Sequence, residues 1–199
     1  MRLADLRTTI DAAVEIVPPH PVSDEELIAL EERYEPLTFE RFADGTLLVT
    51  PPAGFRSGAR NLELAYQVGA WVRAHEGVGS NSSGGFTLPD TSLFAADATY
   101  VSPERWSAAS EATFPTLVPD AVFELMSKSD RPRTTRKKIL AYLQNGVRLV
   151  VLLDPWRRRV FVGHEGDEDV RDLGDVATLD CAPAVPGLVL DVTAIFGAA

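Results

Sequence analysis

Three acidic residues stand where the chain otherwise reads as buried strand. They are Glu40 within residues 37–50 (LTFERFADGTLLVT), Asp97 among Ala95, Ala96, Ala98 and Tyr100, and Glu124 within residues 119–127 (PDAVFELMS). A carboxylate in such surroundings is strongly destabilising unless a metal ion, a cation or a set of hydrogen bonds compensates it. If the three converge they repel one another, and their charged forms persist only beside a cation. Oxygen-only ligands favour a hard ion, Mg²⁺ or Mn²⁺, over zinc. A basic residue nearby would orient or activate water and offset phosphate charge. Lys138, four residues before Tyr142 on one helical face, is the candidate; Lys128 and Lys137 are rivals that spacing does not exclude. Other chemistries fit poorly. His20, His75 and His164 are scattered without ligand or triad spacing, and the loop SNSSGG at residues 80–85 lacks the lysine of a phosphate-binding loop.

The elements that must position these residues follow from pattern. Residues 119–127 predict a strand whose alternation puts Val122, Glu124 and Met126 on one face. A helix over residues 133–145, stopped by Gly146, leads to a strand over residues 148–153 that is apolar on both faces, as a buried parallel strand is. Strand, helix and strand make a right-handed crossover unit. Asp44-Gly45 between two apolar segments predicts a hairpin. After Pro51, Pro52 and Gly54 a long helix spans residues 57–76 and is closed by Gly77. Leu62, Ala65, Tyr66, Gly69 and Val72 would face the sheet, and Arg60, Asn61 and Glu63 lie in its first turns, equally suited to a site or to an ordinary helix start. Strands follow over residues 85–88 and 94–101, then a short helix over residues 103–109 with Trp106 as a packing anchor. Residues 159–163 and 170–173 add edge strands, and residues 189–196 close the domain. At the N-terminus, apolar spacing predicts a helix over residues 3–17 ended by Pro18 and Pro19. Ser23 and Glu26 form a capping box opening a second helix to about Arg33.

Composition bounds the class. A chain of 199 residues, 45% hydrophobic and 24% charged, is expected to be one globular domain over residues 1–199, with residues 1–36 as an N-terminal helical extension. The longest apolar run, residues 149–153, is too short to span a bilayer, and Asp5, Arg7 and Asp11 interrupt any signal-peptide core, so a cytoplasmic protein without a membrane partner is expected. The single Cys181 excludes an internal disulfide and reads as a small buried hydrophobe. The net charge of -10 argues against a broad non-specific nucleic-acid binder. Yet residues 128–138 hold six basic residues against one acid, Arg157 to Arg159 form a second basic cluster, and residues 165–180 are acidic. A basic patch on an acidic body suits local contact with an anion.

The stretches FERFADGTLLVTPPAG, GARNLEL, GGFTLPD, AADATYVSPERW, PDAVFELMSKSD, KKILAYLQNGVRLVVLLDP and PGLVLDV occur in the order seen in the putative restriction endonuclease (Uma) family of the PD-(D/E)xK nuclease superfamily. The chain resembles that family over about residues 37–192. The resemblance implies an α/β, α+β-like fold: a restriction-endonuclease-like core with a mixed, mostly antiparallel sheet flanked by helices. It also implies Mg²⁺-dependent cleavage of DNA phosphodiesters. Asp97 matches the motif aspartate, Glu124 the motif glutamate, Glu40 the acid before the first hairpin turn, and Lys138 the lysine four before the family tyrosine. Glu40, Asp97, Glu124 and Lys138 are therefore the expected catalytic set, with Asp97 and Glu124 as metal ligands. Lys128, Arg131, Arg133, Arg136 and Lys137 are expected to hold the DNA backbone. The chain departs from the superfamily pattern at Met126, where a lysine two residues after the glutamate is usual, so Lys138 must substitute in space. Ala96 and Lys128 stand where prolines are usual. Duplex DNA is the expected partner, and a homodimer would supply the two active sites a duplex cut needs. Two alternatives are a catalytically inactive binding module on this fold and a metal-dependent hydrolase of a small phosphorylated molecule.

Overall fold

The structure, a computed structural model, describes residues 10–197. In chain order its elements are β1 (Val14–Ile16), α1 (Asp24–Tyr34), β2 (Thr38–Arg41), β3 (Leu47–Thr50), α2 (Phe55–Ala74), β4 (Val78–Asn81), β5 (Phe86–Thr87), β6 (Leu93–Phe94), β7 (Ala98–Val101), α3 (Pro103–Ser107), β8 (Ala121–Leu125), α4 (Pro132–Gln144), β9 (Leu149–Asp154), β10 (Arg159–His164), β11 (Arg171–Gly174), β12 (Thr178–Asp180), β13 (Val189–Asp191) and α5 (Val192–Gly197).

The crossover β8–α4–β9 is the centre of a six-stranded sheet ordered β11-β10-β9-β8-β7-β4. Only its β8–β9 pair is parallel, with Glu124 opposite Leu152; the other neighbours run antiparallel. This is the mixed, mostly antiparallel α/β arrangement expected. Period-two alternation on β8 sends its side chains to two cores. Ala121, Phe123 and Leu125 pack with Leu64 and Val68 of α2 and Ile195 and Phe196 of α5. Val122 and Met126 pack with Ile139 and Tyr142 of α4. Each fully buried Leu or Phe in these layers contributes about 2 kcal/mol. Glu124 lies on the α4 side, so that helix decides its partners.

A second, five-stranded sheet ordered β1-β3-β2-β6-β5 carries the hairpin. Its turn uses Gly45 at φ +80°, a conformation glycine adopts without strain, while the Asp44 carboxylate accepts from the Thr46 amide at 2.9 Å. The chain leaves this sheet at Phe94 and enters the large sheet at Ala98, so Asp97 stands in the segment that passes from one to the other. The three acids thus come from one strand of each sheet and from the segment between them. They meet where two sheets abut.

Other expectations are corrected. Residues 3–9 of the predicted first helix lie outside the described residues, but Val14–Ile16 is a strand paired with β3, not helix. β-branched Val14 and Ile16 favour that edge. The capping box is present, with Ser23 and Glu26 bonding reciprocally. On α2 the buried face is Arg60, Leu64 and Val68, with Val72 packed beside them as expected, whereas Leu62 and Tyr66 are 71% and 68% exposed. The helix carries two stripes with apolar residues, and the one holding Leu64 and Val68 is buried. Ser80 and Asn81, read as loop, pair with β7 as the end of β4. Trp106 is exposed at 45% and is no core anchor. Cys181 is fully buried, and burial pushes its thiol up to about 12, leaving it inert as a nucleophile. Among the described residues no helix is long and apolar enough to cross a membrane.

Candidate active site

Lys138 is the hub. α4 starts at Pro132, whose fixed φ suits a first helical position, and stops before Gly146 at φ +84°. Between them Thr134, Lys138 and Tyr142, spaced by four, fall on one buried stripe. Lys138 Nζ lies 2.7 Å from Glu124 Oε1 and 2.8 Å from Glu40 Oε1, and it donates to the Ala95 carbonyl at 3.2 Å. One ammonium thus joins β8, β2 and the segment between the sheets. Tyr142, one turn on, donates from its hydroxyl to Glu124 Oε1 at 2.8 Å. Glu40 Oε1 also accepts from the Ala95 amide at 2.7 Å.

Asp97 stands beside this group, with Oδ2 accepting from the Leu125 amide at 2.7 Å and Oδ1 from Asn61 Nδ2 of α2. Glu40, Glu124 and Lys138 are buried and Asp97 is partly buried. All four line a cleft of about 830 Å³, together with Asn61 and Arg131.

The electrostatics follow from burial. Desolvation raises the Asp97 carboxyl to about 6 against the pull of the Leu125 amide and Lys138. Glu124 is raised to about 8, first by burial, with the charges of Asp97 and Glu40 adding to the effect and Lys138 opposing it. Lys138 is held protonated well above its ordinary range because the attraction of Glu124 and Glu40 outweighs its own desolvation. Tyr142 is raised by burial and then by the neighbouring carboxylates, so its hydroxyl is a proton donor and never a phenolate near neutrality. Burial first, and the neighbouring carboxylates second, thus favour a proton on Glu124 near neutrality.

Among the described residues, no group of three or more His, Cys, Asp or Glu side chains is arranged to hold a metal ion. The available donors are nevertheless hard oxygens. Glu124 Oε2 and Glu40 Oε2 accept no hydrogen bond among the described residues, and Asp97 receives only neutral N–H donors.

The chain carries a match to the family model described as putative restriction endonuclease, Uma2, over residues 24–193. It belongs to the Uma2 family. Among solved structures it is similar to a putative nuclease belonging to DUF820 from Anabaena variabilis, at a TM-score of 0.70 and 18% identity, covering 81% of this chain and 90% of that one. At that identity the likeness establishes the fold. No curated protein matches.

Against this Uma2 fold the sequence-predicted residues divide. Glu40, Asp97, Glu124 and Lys138 are brought together. Met126 is core, packed with α4, and the lysine that reaches the acids comes from that helix. The basic segment disperses. Arg131 borders the cleft and Arg133 is exposed. Arg136 pairs with Asp169, and Lys137 with Asp44 at 3.0 Å and Glu15 at 3.9 Å. Lys128 lies 4.7 Å from the Trp156 ring centre. Arg157, Arg158 and Arg159 pair with Asp154, Asp175 and Asp172. Acids after β10 therefore offset three of these arginines, Arg136, Arg158 and Arg159. Two contributors were not assigned from sequence: Tyr142, used only as a landmark, and Asn61, left open. The signal for Tyr142 was its position one turn from Lys138; no local signal ties Asn61 to Asp97.

Proposed function

We propose that this Uma2 chain is a metal-dependent endonuclease that hydrolyses DNA phosphodiester bonds in the cleft. The observation that carries the reading is Lys138 Nζ seated between Glu40 and Glu124 beside Asp97, at the floor of a cleft, in a chain whose family is described as putative restriction endonucleases. Asp97 and Glu124 would hold Mg²⁺ or Mn²⁺, whose hard-oxygen preference their carboxylates suit. A bound ion supplies Lewis acidity toward water and phosphate. Lys138 keeps its proton and offers it as a fixed positive hydrogen-bond donor to the scissile phosphate or the attacking water. Glu40 anchors Lys138, Tyr142 orients Glu124, and Asn61 orients Asp97. Arg131 in the lining of the cleft would contact the DNA backbone, which positions the strand without reading sequence.

The test is supercoiled plasmid incubated with purified protein and Mg²⁺ or Mn²⁺. Nicked and linear products are expected from wild type and not from Glu124→Ala; equal cleavage, or none, by both removes the claim. A catalytically inactive binding module is the second reading. It is favoured by Glu31, Glu32 and Glu35, which make one side of the cleft acidic. Calorimetry separates the two: Mg²⁺ or Mn²⁺ binding that requires Asp97 and Glu124 supports the nuclease.

A further inference from the structure

A second groove, of about 570 Å³, opens beside the cleft, and Pro51, Pro52, Ser57, Ser127 and Ser129 line both. A chain held at the acids can therefore run on into the groove without leaving the surface. The cleft and the groove differ in charge. Glu31, Glu32 and Glu35 line the cleft. Arg56 and Lys128 line the groove, with Asp11 the one acid among its described residues. Phosphates are attracted by the charge of the groove and repelled by the acids of the cleft lining. The groove also offers aromatic surface. Phe55, in the first turn of α2, is 92% exposed, and Trp156 lies in the wall with Lys128 Nζ at 4.7 Å and the Arg60 guanidinium at 4.6 Å from its ring centre. An exposed ring, Phe55, in one groove with the surface cations Arg56 and Lys128 supplies the elements of a single-strand nucleic-acid platform, in which phosphates take the charges and bases stack on the ring.

We propose that this groove binds the nucleotides flanking the scissile phosphate, with Lys128 and Arg56 holding a phosphate and Phe55 stacking on an unpaired base. The assignment rests on the nuclease reading and extends it to residues outside the acid cluster. The experiment is fluorescence anisotropy of an end-labelled single-stranded DNA oligonucleotide of about ten nucleotides, titrated with the full chain without added divalent metal. Phe55→Ala and Lys128→Gln are each expected to raise Kd about tenfold. Lys128→Gln alone should lower the slope of log Kd against log salt, by about 0.7. Leu62→Ala, on the same helix but outside the groove, should bind as wild type. Both probed side chains are on the surface, and circular dichroism checks that the variants fold. If wild type binds and cleaves DNA while both variants bind equally well, the groove assignment is overturned and the nuclease reading stands. If wild type neither binds nor cleaves, both fall. Phe55 shares the exposed side of α2 with Leu62 and Tyr66; if Phe55→Ala instead splits a dimer in sedimentation, the surface joins two copies of the chain and the assignment is overturned.

Discussion

Lys137 and Lys138 are adjacent in sequence, carry the same charge and each contact two carboxylates, yet they sit in opposite environments. Lys137 is over a third exposed and reaches Asp44 and Glu15 across the surface. Lys138 is buried and joins Glu40 to Glu124. A single step along α4 turns the side chain by about 100°, which separates solvent from the cleft floor. Charge alone therefore says little about function; what matters is whether the partners have any other way to be compensated. The acids facing Lys137 have water. Those facing Lys138 have only the ammonium, hydrogen bonds or a metal.

The largest effect should come from breaking the buried half of the pair. Lys138→Met leaves Glu40 and Glu124 desolvated without their cation, and removing one partner of a buried ion pair costs about 3–5 kcal/mol. On the proposed nuclease reading it would also remove the donor to the phosphate, worth at least about a hundredfold in rate. Chemical denaturation and plasmid cleavage measure the two losses separately. A variant that keeps stability and activity within twofold of wild type would show the lysine to be a bystander.

The next effect is in protons. Asp97 at about 6 and Glu124 at about 8 are raised above their ordinary 3.8 and 4.5. The folded chain thus binds more protons than the unfolded one across that interval, so without metal its stability declines as pH rises from about 4 through 8. A divalent ion held as proposed by Asp97 and Glu124 would compete for the same oxygens, and its affinity should then grow over the upper part of that window, by about tenfold per pH unit for each proton displaced. Mg²⁺ titrations at pH 6 and pH 8, in buffers of different ionisation enthalpy, read both the affinity and the protons released. Glu124→Gln should flatten the dependence; if the variant keeps it, the retained proton belongs elsewhere.

Much of this geometry was legible in the chain, and the rest was lost for identifiable reasons. Period-two alternation on β8 placed Glu124 on the face of Val122 and Met126, and the i,i+4 spacing of Lys138 and Tyr142 put them on one side of α4. Both hold because they depend only on backbone period. The arrangement of Glu40 was not readable in that way, since it reaches the cluster from a different sheet through the link at Ala95, and no local pattern encodes how two sheets abut. The same limit explains Asn61, whose contact with Asp97 spans α2 and the inter-sheet segment. Most of the buried face of α2 was misjudged because two stripes compete on one helix, and packing against β7, β8 and α5 selects Leu64 and Val68. That Arg136 and Lys137 of the basic segment are ion-paired was not legible, because their partners Asp169 and Asp44 lie far away in sequence.

Smaller effects sharpen the contrast from within. Tyr142→Phe removes one hydroxyl that donates to Glu124 and leaves the ring packed against Phe94. The loss should be about 1 kcal/mol of stability and a few-fold in cleavage rate, because Lys138 still holds Glu124. A hundredfold fall would instead give the hydroxyl a direct role. The smallest change belongs to Lys137→Met. Its ion pairs are exposed and screened, so they contribute about 0–1 kcal/mol, and its aliphatic stem can be replaced by Met over Phe42, which lies 3.9 Å from the ammonium. Activity should stay within twofold and the urea midpoint should barely move. Because Lys137 and Lys138 share a helix turn, a helix-wide disturbance would strike both variants alike; a large loss in Lys138→Met beside near-silence in Lys137→Met isolates the buried contact as the cause.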